Sequence, residues 1–129
     1  MVNTQTVEID TLKKFLEAHN VHNVELIMDF FSEDCSMDLP RGPNPWGTRL
    51  IGKKEVREAY VNRFKWLPDS QYGKDHHWVL GNMGFSKWTL TGTTLNGERL
   101  EVCGCDHLEF REGKIIRKDS YWKIVEIEK

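Results

Sequence analysis

Asp106, Lys118 and Lys87 are the residues whose types and spacing point most directly to chemistry. A carboxyl in an apolar cavity has its pKa raised by desolvation and can donate a proton at neutral pH. An ammonium beside it favours the carboxylate instead and turns the same residues into a structural ion pair. Lys118 and Lys87 can orient an anionic or enolate-like ligand, or snorkel to a cavity rim. His107 falls between Asp106 and Leu108 on a strand, so it points to the opposite face and reads as a packed histidine. Asp75-His76-His77 has metal-ligand residue types, but adjacent strand residues face opposite ways. That run reads as an exposed strand start, and no metal ion is expected. The three cysteines, Cys35, Cys103 and Cys105, form no CxxC. Two cysteines two apart on one strand are poorly placed for a disulfide, so all three are expected reduced, with a cytoplasmic location as the default. No GxGxxG, P-loop or nucleophile elbow occurs.

Helices that could carry such residues come first in the chain. Ile9, Leu12, Phe15 and Leu16 mark a helix from Val7 to His19. Asn23 is placed to cap a second helix carrying Val24, Leu26, Ile27, Phe30 and Phe31. A short strand, Cys35 to Leu39, turns Ser36 and Asp38 away from Cys35, Met37 and Leu39. Pro40 to Gly47 holds three of the four prolines and reads as a stiff loop without regular pairing. In it, Trp46 either lids a pocket or pins the loop. A third helix spans Lys53 to Leu67, with Trp66 and Phe64 as core residues. Strands then follow: one through Trp78, also read as core, to Leu80, then Phe85 to Leu95, Arg99 to Phe110, and Lys114 to Ile127. Helices first and strands afterwards describe an α+β domain.

Two hairpins set the expected facing of the sheet residues. A two-residue Asn96-Gly97 turn pairs Thr93 with Leu100, Thr89 with Gly104 and Lys87 with Asp106. For the second turn, a two-residue loop sets Asp106 against Asp119. A three-residue loop ending at Gly113 pairs Leu108 with Ile116, Asp106 with Lys118, Glu101 with Lys123, Val102 with Trp122 and Leu100 with Ile124. The second register is preferred because opposite charges meet. One face then carries Asp106, Lys87, Lys118, Ser120, Trp122 and the threonines at 89, 91 and 93 among apolar neighbours. The other carries Trp88, Leu90, His107, Asp119 and Tyr121. The first register would bring Asp119 to the pocket face. Helices are expected to cover one face and a second subunit the other.

The chain has 129 residues and a mass of 15.1 kDa, enough for one domain over residues 1–129. Eighteen Lys and Arg against 20 Asp and Glu leave a net charge of -2, without the basic excess that holds nucleic acid. No apolar run is long enough to span a membrane. Met1 to Gln5 lacks the pattern of a signal peptide.

Several stretches, in order, resemble the nuclear-transport-factor-2-like superfamily, which includes SnoaL-like polyketide cyclases and ketosteroid isomerases. They are Asp34 to Gly42, Gly52 to Val56, Trp88 to Gly97, Asp106 to Phe110, Glu112 to Ile115, and Tyr121-Trp122. The resemblance implies a cone-shaped, curved mixed or antiparallel sheet wrapped by three N-terminal helices, with a pocket between the layers and a homodimer. It makes Asp106-His107-Leu108 the counterpart of an isomerase stretch that carries an aspartic acid, and Tyr121-Trp122 a pocket-lining pair. Asp119 lies near the acid-base aspartate of cyclase-type relatives. Phe15 stands where the isomerase tyrosine would be and Leu39 where its base would be, with Asp38 one residue away. A SnoaL-like pocket protein is therefore expected rather than a steroid isomerase. Asp106, Lys118 and Asp119 are its candidate catalytic residues. Phe15, Leu39, Trp46, Lys87, Thr89, Ser120 and Trp122 are its candidate ligand contacts. The expected ligand is a small apolar, carbonyl-type molecule handled by proton transfer, with no cofactor. The alternative is a non-catalytic ligand-binding or dimerisation module.

Overall fold

Helix α1 (Ile9–Asn20) forms where the apolar period predicts it in the computed structural model, which describes residues 6–126. The expectations for Met1 to Gln5 and for Ile127 lie outside those residues. Leu12, Phe15, Leu16 and His19 are buried on one side of α1. Helix α2 (Val24–Met28) starts at Asn23, whose side chain accepts the Leu26 N–H at 3.0 Å. It is shorter than its apolar pattern predicts, because Phe31 already opens strand β1 (Phe31–Asn44). Strand β2 (Gly47–Ile51) pairs antiparallel with β1, with Asp38 opposite Arg49 and Leu39 opposite Thr48. β1 runs on through the proline segment to close a hairpin at Asn44 and Gly47, but Pro40 to Pro43 have no partner on β2, so the absence of regular pairing expected of the prolines holds within that arm. Helix α3 (Lys53–Trp66) follows and buries Val56 and Tyr60.

The remaining strands are β3 (Gln71–Leu80), β4 (Met83–Thr93), β5 (Arg99–Arg111) and β6 (Lys114–Trp122). The six strands form one mixed sheet in the order β2-β1-β6-β5-β4-β3, with β1 and β6 parallel. The α+β class and the helix-covered curved sheet are as expected. α1 packs on β3 and β4, and α3 on β1 and β2. Between them lies a core of Leu12, Phe15, Ile27, Phe31, Val56 and Leu108, next to a second cluster around Leu67, Trp88 and Leu90.

Both hairpins differ in register from expectation. At the first, Thr94 donates its N–H to the Glu98 carbonyl at 2.9 Å, and its hydroxyl accepts the Glu98 N–H at 3.1 Å. The loop is thus three residues, closed by Gly97 at φ +84°. Thr93 pairs with Arg99, and Ser86 rather than Lys87 lies opposite Asp106. A shift of one residue exchanges the faces. Trp88 and Leu90 turn inward and are buried, while Lys87 and Thr89 turn to the outer face. Burying two large apolar side chains, at roughly 1.5–3 kcal/mol each, decides this register.

The second turn holds two residues, Glu112 and Gly113, both at positive φ. A bulge then inserts one residue, so Phe110 pairs with Ile115 but Leu108 pairs with Lys118. Asp106 lies opposite Ser120 rather than Lys118, and Gly104 rather than Val102 lies opposite Trp122. Ile115 takes the core position expected of Ile116, and Ile124 is exposed rather than paired with Leu100. These pairings miss by two residues, an even number, so Asp106, Lys118, Ser120 and Trp122 still share the inner face. Asp119 lies opposite His107 on the outer face.

Candidate functional site

The inner face of β5 and β6 carries a buried polar cluster. The Ser120 hydroxyl donates to Asp106 Oδ1 at 2.6 Å, and the Trp88 indole N–H donates to Asp106 Oδ2 at 3.1 Å. Lys118 Nζ donates to Ser120 Oγ at 2.8 Å and lies 3.4 Å from Asp106 Oδ1. Gly104 lets Trp88 reach this position, since a Cβ there would meet the Trp88 ring edge at 2.6 Å. Burial lowers the pKa of Lys118, and the adjacent Asp106 works against that shift.

The helices extend the cluster. Lys118 Nζ sits 5.9 Å from the centre of the Tyr60 ring. His19 Nδ1 donates to the Phe15 carbonyl at 2.7 Å. Its Nε2 therefore accepts a hydrogen bond from the Tyr60 hydroxyl at 2.8 Å. Burial, with help from Lys118, lowers the His19 pKa to about 3, so this histidine is neutral. Burial also holds the Tyr60 phenol well above its usual range and raises Tyr72 to about 12. No buried side-chain nitrogen or oxygen among the described residues lacks a partner.

A cavity of about 790 Å³ opens beside this cluster, between the end of α3, β1 and the inner face of β5 and β6. Leu39, Trp66, Leu100, Val102 and Trp122 supply apolar wall, and Arg41, Arg63, Arg99 and Lys123 bring positive charge. Trp122 follows Ser120 by two residues on β6, as Gly104 precedes Asp106 by two on β5. The cavity wall and the polar cluster are thus adjacent rungs of one ladder. The Arg63 guanidinium lies 4.8 Å over the Trp122 ring and donates to the Tyr72 hydroxyl at 3.3 Å, joining the cavity to the half-buried Tyr72.

Of the residues singled out from sequence, Asp106, Lys118 and Ser120 come together in the cluster, and Leu39 and Trp122 line the cavity. Phe15 is core, packed on Phe30 and Phe31. Trp46 is exposed at the β1–β2 turn, with Arg49 5.0 Å over its ring, and is not in the cavity wall. Lys87 and Thr89 lie on the outer face, as the corrected first hairpin requires. Asp119 is also there, accepting from the Tyr121 hydroxyl at 3.2 Å, and His107 stacks on Phe85. His76 and His77 pair with Lys87 and Ser86 respectively, so they face opposite ways. Asp75 and His76 are exposed, as expected, though in the middle of β3 rather than at its start, and His77 bonds Ser86 at 2.8 Å and Asp75 at 2.7 Å. Among the described residues no three His, Cys, Asp or Glu gather as metal ligands. No helix there is long and apolar enough to cross a membrane.

Sequence reading missed Arg63, Tyr72 and His19. A signal existed for two of them. Arg63 continues the buried stripe Val56, Tyr60 of α3 toward Leu67 just past its end, and His19 continues Leu12, Phe15 of α1. A polar residue on an apolar stripe must find buried partners or a ligand.

Residues 12–118 match the SnoaL-like domain family. No curated protein matches the sequence. A candidate polyketide cyclase from Xanthomonas campestris pv. campestris superposes with a TM-score of 0.79 at 19% identity, covering 88% of each chain. A nuclear-transport-factor-2-like protein of unknown function from Burkholderia pseudomallei gives 0.78 at 16% identity, over 95% of this chain and 92% of that one. A protein of unknown function with a cystatin-like fold from Xanthomonas campestris gives 0.78 at 18% identity, over 95% and 92%. At these identities the likeness is one of fold.

Proposed function

The chain belongs to the SnoaL-like domain family, and on that premise we propose that it binds a small apolar, carbonyl-bearing molecule and isomerises or cyclises it by proton transfer. One observation carries this reading: the cavity wall at Trp122, which pairs with Gly104, is one inward-facing rung of the ladder away from the Asp106–Ser120 pair. In the proposed reaction the ligand lies against Trp122, Trp66 and Leu39. Asp106 accepts a proton from the carbon next to the carbonyl and returns it at the new position, so no net proton is consumed. Ser120 and Trp88 hold the carboxylate in place, and Lys118 balances its charge. The candidate polyketide cyclases among the similar structures fit this class of chemistry. No cofactor enters it. The uncovered sheet face, with Trp78, Leu80, Phe85 and Tyr121 exposed, is proposed to pair with a second copy of the chain.

A second reading has its own support. Both Asp106 oxygens already accept hydrogen bonds, and Lys118 neutralises the carboxylate. That closed arrangement suits a cavity that holds a ligand without transforming it. Proton exchange of small aryl ketones in D2O, followed by NMR, separates the two. Acceleration by the wild-type protein is expected, with a loss of about 100-fold or more in Asp106→Asn and unchanged quenching of tryptophan fluorescence by the ketone. Quenching without acceleration would establish the second reading.

A further inference from the structure

We propose that the cavity selects a ligand with a carboxylate at one end, bound by Arg63; this rests on the reading that the cavity holds a small molecule. The chain contains seven arginines. Arg49 and Arg117 pair with Asp38, Arg57 with Glu25 and Arg111 with Asp34. The other three, Arg41, Arg63 and Arg99, have no carboxylate within ion-pair distance among the described residues. All three line this cavity, where Lys123 joins them and Glu98 is the one acidic residue among the described residues of the wall. A chain of net charge -2 has thus gathered around one apolar space the guanidinium groups that have no carboxylate partner among the described residues.

Arg63 is the best prepared of them. It is half-buried, its guanidinium lies 4.8 Å over the Trp122 ring, and the Tyr72 hydroxyl accepts from one of its N–H groups. Its remaining donors have no protein acceptor among the described residues. A half-buried cation without a counter-ion is costly, and a planar guanidinium matches a carboxylate with two parallel hydrogen bonds. The ligand that answers both facts is an apolar body ending in a carboxylate. Its head sits at Arg63, with Arg41 and Arg99 adding to the field, and its body lies along Trp66, Leu100 and Val102.

The test uses 2-naphthoate and its methyl ester, two probes of the same shape that differ in charge. Binding to the full chain is read by calorimetry. The carboxylate is expected to bind about tenfold more tightly than the ester, a difference of about 1.4 kcal/mol. Arg63→Met is expected to erase that preference while leaving ester binding in place. If Arg63→Met does not fold, the double variant Arg41→Met/Arg99→Met is expected to narrow the preference. Added salt is expected to weaken binding of the carboxylate and not of the ester to the wild-type protein. Ester binding equal to or tighter than carboxylate binding overturns the proposal and leaves the cavity reading intact. Binding of neither probe overturns both.

Discussion

Two carboxylates of this sheet are almost equally hidden, Asp106 at 4% exposure and Asp38 at 1%, and they lie on opposite faces. Each has a cationic partner, but the partners differ. Lys118, beside Asp106, is itself only 7% exposed, and the contacts around the pair come from Ser120, Trp88 and Tyr60. Asp38 is covered by Arg49 and Arg117, whose side chains are 38% and 43% exposed and form the surface above it. One pair is buried whole, and the other is a buried anion under a solvated cationic roof. Desolvating both members of a pair is the expensive arrangement, and removing one member then leaves a charge with nowhere to go. The outer pair needs only its anion desolvated. The costly pair is also the one beside the cavity, which is why the proposed function rests on Asp106 rather than Asp38.

The largest effect that can break this contrast is Lys118→Met. It strands the Asp106 carboxylate behind Trp88 with only Ser120 and the indole as partners, and stability is expected to fall by about 3–5 kcal/mol. Urea denaturation measures it. Adding Asp106→Leu to Lys118→Met is expected to recover much of the loss, because the uncompensated charge is gone. A single-variant loss below about 1 kcal/mol would mean that water reaches the cluster and that the two carboxylates are not different in kind.

The contrast was half legible in the sequence, for a reason specific to strands. Facing depends on whether a register is odd or even, and pairing depends on the register itself. The second hairpin was misplaced by two residues, so Asp106, Lys118 and Ser120 still met. The first was misplaced by one, so Lys87 and Thr89 went to the wrong face and Trp88, the donor that holds Asp106, was assigned outside. Burial of Trp88 and Leu90 decided that register, and the turn closes locally through the Thr94 hydroxyl on Glu98, a bond that the Asn-Gly signal outweighs in a sequence reading. The bulge at Ile116 has no sequence mark either. On the outer face, alternation from Cys35 to Leu39 placed Asp38 correctly, but the proline run concealed β2 and with it Arg49. Arg63 and His19 were readable as polar interruptions of helical apolar stripes. Tyr72 was not, since it depends on how β3 crosses under α1.

A second way to sharpen the comparison is pH. His19 belongs to the inner cluster and titrates at about 3 in the folded chain, against 6.5 as its ordinary value. Between those values the unfolded chain holds a proton on His19 that the folded chain does not. Stability therefore rises with pH across that window and falls as the solution is acidified through 6.5. The slope is about 1.4 kcal/mol per pH unit for one such group. The lowered carboxyl pKa values of Asp34, Asp69 and Asp75 act further down, below their ordinary values near 4, so pH 6.5 to 5 isolates the histidine contribution. Urea denaturation across that interval is expected to show the slope in the wild-type chain and to lose it in His19→Gln. An unchanged slope in the variant would remove His19 from the buried cluster's electrostatics.

The smallest expected effect is at the outer pair, and it tests the roof. Arg49 gives Asp38 two hydrogen bonds, at 2.8 and 3.0 Å, while Arg117 stands by at 3.6 Å. Removing Arg49 leaves a second guanidinium already in place and opens the carboxylate to water. Arg49→Met is therefore expected to lower the urea midpoint by less than half as much as Lys118→Met does. Arg49→Met with Arg117→Met is expected to lower it by more than the two single losses together, because each arginine covers for the other. If Arg49→Met alone matches Lys118→Met, then the partner's exposure is not what separates the two faces, and the assignment of function to the inner carboxylate loses its physical basis.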